Sequence, residues 1–388
     1  MKDYFIEQIE LKENQYIPSL TIPLSKETRK HVIFTGKNGC GKTTTLKYIN
    51  QSLNKLIGNE FVTLQNHIKQ YKSNLVQLKK QVDYFSKVNL IFSVQDPIYK
   101  SIVKRESILA YFEAKRENTP TVSTSIKNIK LNRDNSTDTK QLHKQFIEYM
   151  VKKRTDMLND KFDGDGKKAD LIEEWFRNFE NTLKILFDED DLKLKYYSEE
   201  LNFKIEYDQK SFGLNELSDG YSSLLAILTE LILRMEAHGV QAYDMQGIVL
   251  IDEIETHLHV DLQKKILPFL VDFFPKIQFI VTTHSPFVLS SLSNAVICDL
   301  EKKIITEDLS PYSYDALIES YFDSDKYSQE IKDKLDRFEE LSKKEDLNDD
   351  EQDEYFEFKR YFKNIPKFMA DELAVKINEI LLNDLNKR

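Results

Sequence analysis

The chain has 388 residues, of which 40% are hydrophobic and 31% are charged, so a sizeable core can form and two or three structural units are expected. The first 20 residues show no signal-peptide pattern, and no apolar run approaches membrane-spanning length. The two cysteines, Cys40 and Cys298, give no disulfide framework. A cytoplasmic protein with no membrane partner is therefore expected.

The formal net charge of −10 hides an asymmetry along the chain. Residues 64–154 contain 18 Lys and Arg against 8 Asp and Glu, a balance of +10. Residues 299–388 contain 15 Lys and Arg against 25 Asp and Glu, a balance of −10. The basic segment can meet nucleic acid or an acidic partner, whereas an acidic tail is typical of a solvated helical face.

The first predicted elements are a strand pair over residues 4–24, then a buried strand at 32–34 and a helix beginning at Thr44. Between them the spacing G-x-x-x-x-G-K-T predicts a loop whose backbone N–H groups surround phosphate oxygens at a helix start. Lys42 can reach the β- and γ-phosphates, and the Thr43 hydroxyl can hold Mg²⁺. The candidate phosphate-binding residues are Gly36, Lys37, Asn38, Gly39, Cys40, Gly41, Lys42, Thr43 and Thr44.

The middle of the chain reads as helical with short strands. One or two long helices are predicted over 50–87, strands at 89–95 and 107–112, helices over 126–187, and a hairpin at 192–207. The run Asp163–Gly166 is interpreted as a helix–helix turn, because the 12-residue ligand pattern of a Ca²⁺ loop is not completed.

A second landmark, the sequence LSDGYSS at 217–223, opens a strongly apolar helix predicted over 224–235. Ser218 or Asp219 would cap this helix, whose first N–H groups could bind an anion. By itself this pattern is weak, because many helices begin in this way.

A third landmark is the apolar strand 247–251, which is followed by Asp252 and Glu253. Asp252 would hold Mg²⁺, and Glu253 could polarise a water for attack on a γ-phosphate. His257 and His259 lie only two positions apart, which is not the spacing of a shared helix face, so a zinc site is disfavoured. The strand 277–281 ends close to His284, which can either reach the γ-phosphate or serve as a structural histidine.

The remaining predicted elements are helices and two short strands. They are a helix over 262–274, a helix start at 287–292, strands at 295–299 and 303–305, and helices over 315–321, 329–341, 346–362 and 370–385.

The order GKNGCGKT, LSDGYSS, IVLIDEIETHLH and VTTHSP resembles the ABC-type ATPases of the SMC and OLD kind. The resemblance implies an α/β fold, an ABC-type P-loop NTPase domain with a mixed sheet flanked by helices. This domain would be discontinuous, formed by residues 1–50 and 190–300. Residues 51–189 would be an inserted helical subdomain, and residues 301–388 an acidic helical C-terminal region.

The same resemblance implies roles for single residues. Two domains would dimerise head to tail, with each ATP held between one phosphate loop and Ser218 and Gly220 of the other copy. Thr43 and Asp252 would bind Mg²⁺, Glu253 would be the general base and His284 the switch histidine. Gln95 and Arg116 are both candidates for the glutamine-loop contact, and Arg116 is preferred.

The signature loop departs from the ABC pattern at two positions. Asp219 and Tyr221 stand where that pattern has glycine and glutamine. An added carboxylate near a γ-phosphate would repel it unless it points away or meets a cation. We therefore expect hydrolysis to be slow, while nucleotide binding is preserved.

The motifs ETHLH and TTHSPFVLSSL, with the later LSPYSYDALIESYF, are similar to the stand-alone ATPases of anti-phage systems of the Septu and retron kind. Those ATPases work with a separate HNH nuclease, so the resemblance implies a regulator or sensor without its own nuclease site. No histidine follows His284, so an HNH pair is not available there. The alternative is an SMC-like DNA-repair ATPase that binds duplex DNA through residues 64–154, while an ABC transporter subunit fits the helical insertion poorly.

Overall fold

A computed structural model describes residues 3–57, 87–93, 107–131, 142–239, 245–317, 329–363 and 375–380, apart from positions 14–16, 18, 117–119, 124, 127–128, 130, 345 and 376. The chain divides into two compact units, residues 1–314 and residues 315–388. Gln95, most of the predicted helices at 50–87 and much of the basic segment 64–154 lie outside the described residues. No helix among the described residues is long and apolar enough to span a membrane.

Unit 1 is built around a six-stranded mixed sheet with the order β12-β11-β3-β10-β9-β5. All neighbours in this sheet pair in parallel except β11 and β12. The strands of unit 1 are β1 Ile6–Leu11, β2 Leu20–Pro23, β3 His31–Thr35, β4 Val88–Phe92, β5 Ile108–Phe112, β6 Lys193–Tyr197, β7 Asn202–Tyr207, β8 Lys210–Gly213, β9 Gly247–Ile251, β10 Ile277–Thr282, β11 Ala295–Asp299 and β12 Ile304–Glu307. Every residue of β3, β5, β9, β10 and β11 is buried, as expected for parallel strands that are covered on both faces.

A second sheet, with the order β2-β1-β4, is antiparallel and packs on the same core, which confirms the predicted N-terminal strand pair. The buried side chain of Gln278 on β10 ties this sheet to the central one. Its Oε1 accepts the N–H of Ile6 at 2.7 Å, and its Nε2 donates to the Ile6 carbonyl at 3.0 Å. The Gln278 amide therefore bonds both backbone polar groups of Ile6, which are buried between the two sheets.

The helices cover the sheets and form a paired insertion. Those of unit 1 are α1 Lys42–Ile57, α2 Phe146–Phe162, α3 Gly166–Phe187, α4 Asp219–Glu236, α5 Val260–Phe273 and α6 Pro286–Leu289, with a 3₁₀ turn at Leu142–Gln145. A helical turn at Tyr314–Ala316 lies at the boundary between the two units. The turn between α2 and α3 falls at 163–165, as predicted. The pair packs through an aromatic cluster in which Trp175 and Phe179 stack with centroids 5.6 Å apart.

The sequence predicted that residues 51–189 form an inserted helical subdomain, but not all of this segment is an insertion. It contains β5, which pairs in parallel with β9 and forms the edge of the central sheet. The predicted hairpin at 192–207 is extended by β8 to a three-stranded sheet that leads directly into the signature loop.

Unit 2 contains α7 Gln329–Lys343 and α8 Asp349–Lys363, and residues 377–380 are also helical. Their apolar faces share a small core that includes Phe338, Tyr355 and Phe362. The bidentate contact of Arg337 with Glu354, at 2.9 and 3.2 Å, crosses between the two helices.

Candidate nucleotide-binding site

The glycine-rich loop follows β3 and opens α1. Gly36, Gly39 and Gly41 have φ values of 126°, 85° and 96°, a region that residues with a Cβ rarely adopt. A Cβ on Gly36 would lie 2.9 Å from Cys40 Sγ and 3.3 Å from the Asp299 carboxylate. Lys37, Asn38 and Gly39 are exposed, so the tip of the loop faces solvent. This geometry is that of an anion-binding loop at a helix start.

Lys42 is only 6% exposed and spans the loop. Its Nζ donates to the carbonyls of Gly36 at 2.8 Å and Lys37 at 3.1 Å, and Cys40 Sγ lies 3.8 Å away. The ammonium is therefore already held at the concave side of the loop, where phosphate oxygens would bring their charge.

The turn after β11 supports the loop from outside. The Glu301 carboxylate accepts the Lys37 backbone N–H at 3.1 Å and pairs with Lys37 Nζ at 3.2 Å. Asp299 Oδ1 accepts the N–H groups of Glu301 and Lys302, each at 2.9 Å, and so fixes the turn.

Asp252, which is 2% exposed, follows β9 and forms the centre of a hydrogen-bonded cluster. Its Oδ1 accepts the hydroxyl of Thr43 at 3.2 Å and the hydroxyl of Thr282, at the end of β10, at 2.6 Å. Thr282 in turn accepts the Glu253 N–H at 2.7 Å. Asp252 thus joins the ends of the neighbouring parallel strands β9 and β10 to the start of α1.

This cluster fits a Mg²⁺ ion. The Thr43 hydroxyl and the Asp252 carboxylate are adjacent oxygens that could act as ligands, and Mg²⁺ is commonly held by one or two protein groups together with phosphates and waters. Glu253 has a φ of 45°, an uncommon conformation for a residue with a side chain. The Thr256 hydroxyl donates to its carboxylate at 3.4 Å.

Arg116 follows β5 and contacts the backbone of Asp252 and Glu253. Its guanidinium donates to the carbonyls of Asp252 and Glu253, each at 3.2 Å, and to the Ser223 hydroxyl on α4 at 3.3 Å. Burial lowers the pKa of Arg116 to about 10, so it stays cationic at neutral pH. Arg116 therefore links the end of β9 to the helix that the signature loop opens.

His284 follows β10 and is half-buried beside the same carboxylates. Its backbone N–H donates to Glu255 Oε1 at 2.6 Å. Burial, with the positive charge of Lys42 second, lowers the pKa of His284, while Glu255, Glu253 and Asp252 act in the opposite direction. The imidazole is therefore close enough to Lys42, Glu255, Glu253 and Asp252 to be influenced by their charges.

The signature loop forms a separate groove of about 850 Å³ with the loop after β9. Ser218 and Asp219 are exposed, whereas Gly220 packs so closely that an added Cβ would lie 2.9 Å from the His257 carbonyl. No residue of the phosphate loop is among the described residues that line this groove. Ser218 and Gly220 therefore line a groove to which the described residues of the loop Gly36–Thr43 do not contribute.

Tyr221, at the position of the ABC glutamine, packs against the insertion. Its ring stacks on Phe187 at the end of α3, with centroids 4.2 Å apart and planes within 5°. An ion pair between Lys265 and Asp188, at 3.0 Å, spans the same junction.

Sequence reasoning missed three supporting residues: Thr282, Glu255 and Glu301. Thr282 and Glu255 stand inside recognised motifs, and their position beside Asp252 and His284 was the available signal. Glu301 lies in an acidic stretch without any pattern, so no sequence signal pointed to it.

A phosphate loop after β3, two carboxylates after β9 and a histidine after β10 meet at one edge of a mainly parallel sheet. With the signature loop at the start of α4, this arrangement defines a P-loop NTPase domain of the ABC type. Residues 151–290 match the protein family described as "AAA domain, putative AbiEii toxin, Type IV TA system".

Two related bacterial proteins are similar to part of the chain. The Septu protein PtuA of Bacillus mycoides (strain KBAB4) is 40% identical over 101 residues, which are 24% of this chain and 14% of that protein. The retron Ec83 probable ATPase of Escherichia coli is 38% identical over 104 residues, which are 26% of this chain and 19% of that protein. The chain thus matches only a small part of the length of each of these relatives.

Among solved structures, the SMC head bound to the C-winged helix domain of ScpA has a TM-score of 0.40 and 14% identity. The similarity covers 79% of this chain and 99% of that one.

Proposed function

We propose that this chain is an ATPase that binds ATP with Mg²⁺, acts as a homodimer or higher oligomer, and controls a separate HNH-type nuclease in a bacterial anti-phage system. The site geometry supports the ATPase, and the similarity to Septu and retron proteins supports the defence role. The chain, with its basic and acidic segments, would act in the cytoplasm.

The observation that carries the proposal is the hydrogen bond from Thr43 to Asp252 at the mouth of the phosphate loop. Two residues 209 positions apart in the chain, both candidate Mg²⁺ ligands, thus lie side by side at the start of the helix that follows the glycine-rich loop. Thr43 and Asp252 would hold Mg²⁺, whose charge would offset the negative charge that develops on the phosphates. A glycine-rich turn without this partner would not need a buried carboxylate at that point.

Glu253 is the group that we assign as general base. Its carboxylate would accept a proton from the attacking water, while its backbone is fixed by the hydrogen bond to Thr282. Lys42 and His284 would face the γ-phosphate from the two neighbouring loops. The loop amides of Gly36–Thr44 would hold the β- and α-phosphates.

A second copy would complete the site through Ser218 and Gly220. Ser218 is exposed, and its groove is separate from the phosphate loop of the same chain, which supports contact in trans. Asp219 and Asp261 add negative charge to this groove, and Lys264 and Lys265 add positive charge. We infer that the carboxylate of Asp219 slows the closure around a γ-phosphate.

ATP turnover and ATP binding, measured on three proteins, test the ATPase proposal. Lys42→Ala should lose both binding and turnover. Glu253→Gln should bind ATP as tightly as the wild type, while kcat falls by about 10²-fold or more, because a general base contributes 10²–10⁴-fold. It should also accumulate as a closed dimer with ATP. A Glu253→Gln protein with wild-type turnover would remove Glu253 from the role of base.

A pulldown of the tagged protein from its native host tests the partner. An HNH-type nuclease in the captured material is the expected result, and ATP added to the purified pair then shows whether the nucleotide restrains or licenses cleavage. Capture of DNA without a nuclease would instead favour the repair ATPase, with residues 64–154 as the DNA-binding segment. The charge balance of that segment is the observation in favour of this second candidate.

A further inference from the structure

Glu255 lies two residues beyond Glu253 and contacts a different loop of the site. Its Oε1 accepts the backbone N–H of His284 at 2.6 Å. Its Oε2 is buried and has no hydrogen-bond partner among the residues that the structure describes. Among the described residues, the side chain of Glu255 therefore makes one hydrogen bond, to the His284 backbone.

A second connection joins the same two loops. The Ser285 hydroxyl donates to Gln263 Oε1 at 2.6 Å, and Gln263 Nε2 donates to the Leu258 carbonyl at 2.8 Å. Ser285 also caps α6 by accepting the N–H of Phe287 at 3.1 Å. The loop 253–259 and the loop 283–285 are therefore fastened at both ends, by Glu255 and by Gln263.

Glu255 could act at this site in two ways, through its negative charge or through the position of its oxygen atom. The charge of Glu255 raises the pKa of Arg116 against the larger opposing effect of burial, so the two groups attract each other. A role through charge would need only a carboxylate near Arg116. A role through position needs an oxygen at the place of Oε1, within 2.6 Å of the His284 nitrogen.

We propose that Glu255 is a positioning residue that fixes the backbone of His284, and thereby its imidazole, relative to Glu253 and the phosphate loop. The inference rests on the proposed ATPase function and goes beyond it, because it names the group that sets the place of the histidine. The bond from Glu255 makes the loop after β9 and the loop after β10 one structural element at the mouth of the site.

Three substitutions distinguish position from charge. Glu255→Gln keeps an acceptor oxygen at the same reach, Glu255→Asp keeps the charge but withdraws it by one methylene, and Glu255→Ala removes both. We expect kcat for ATP hydrolysis to fall tenfold or more in the Ala and Asp variants, and to be at least fivefold higher in the Gln variant than in the Ala variant. The dissociation constant for ATP should stay within twofold in all three.

Glu180→Ala is the matched control. Glu180 is also half-buried, and its carboxylate accepts a backbone N–H, that of Leu194 at 2.8 Å, but it lies on α3 away from the loops of the site. Its removal should leave kcat unchanged. An equal loss in Glu180→Ala and Glu255→Ala would indicate general loosening of the fold and overturn the assignment.

Hydrogen exchange at the His284 amide provides a readout that is independent of turnover. This amide should be protected in the wild type and in Glu255→Gln, and should exchange at least tenfold faster in Glu255→Ala. Equal protection in all variants, or a kcat order in which Asp exceeds Gln, would refute the proposal. A wild-type protein with no more turnover than Lys42→Ala would instead refute the ATPase function, while the exchange data would still report on the bond.

Discussion

His31 begins β3, the strand that delivers the phosphate loop, and it is 3% exposed. Its Nδ1 accepts the backbone N–H of Phe279 on β10 at 3.1 Å, and its own N–H donates to the Asn294 carbonyl at 3.0 Å. Burial, with the charge of Arg29 second, lowers the pKa of His31 to about 3. The ring must stay neutral in the fold, because a protonated Nδ1 cannot accept the Phe279 N–H.

The consequence for stability has a definite sign. The folded pKa of about 3 lies below the ordinary value of 6.5, so the unfolded chain takes up the proton first as the pH falls. The stabilising contribution is fully present above about pH 6.5 and is lost progressively toward about pH 3. The linkage relation gives a loss of about 0.8 kcal/mol at pH 6 and about 2 kcal/mol at pH 5, relative to pH 8.

Urea denaturation at pH 8, 6 and 5, followed by the fluorescence of the single tryptophan Trp175, measures this loss. His31→Asn is the matched variant, because its side-chain oxygen can accept the Phe279 N–H and does not titrate in this range. The wild type should lose about 2 kcal/mol more than the variant between pH 8 and pH 5. Other titrating groups cancel in this difference. Identical losses in the two proteins would refute the claim that His31 is held neutral.

Three further substitutions test other contacts of the site. Gly220→Ala should displace the signature loop, because the added methyl group would lie 2.9 Å from the His257 carbonyl. We expect this change to cost about 1–3 kcal/mol of stability and to lower turnover in an ATPase assay. Gly220→Ser should be at least as damaging. Thr282→Val should weaken Mg²⁺-dependent nucleotide binding, measured by titration with and without Mg²⁺, whereas Thr282→Ser should restore it because the hydroxyl bonds at 2.6 and 2.7 Å can re-form. Glu230→Gln should destabilise the fold by about 3 kcal/mol in urea denaturation, since the buried guanidinium of Arg234 loses its charged partner at 3.1 Å; a smaller effect than that of a surface glutamate would contradict this.

The central parts of the site could be predicted from the sequence because each is local. A buried strand followed by G-x-x-x-x-G-K-T, or by Asp252 and Glu253, fixes both the loop and its direction within a few residues. Parallel strands then bring their carboxyl ends to one edge, so the convergence of Thr43 with Asp252 follows from topology. The same reasoning predicted that His284 would end a neighbouring strand.

Other features depend on contacts that no local pattern encodes. The role of Arg116 as the glutamine-loop contact stays a prediction, and the bonds of its guanidinium to the carbonyls of Asp252 and Glu253 could not be read from the sequence. Tyr221 was read as a departure from the signature, but its ring stacks on Phe187, so aromatic packing against the insertion occupies that position. The place of β5 at the edge of the central sheet also required the pairing with β9, which periodicity cannot supply.

The hydrogen bonds of the site converge on one short segment, residues 252–255. Thr43 reaches it from α1, Thr282 from β10 and Arg116 from the end of β5, while Glu255 extends from it to His284. Arg116 also contacts Ser223 near the start of α4, so this segment is joined to the signature helix as well. Residues 252–255 therefore connect the helix that follows the phosphate loop to both the histidine loop and the signature helix through hydrogen bonds.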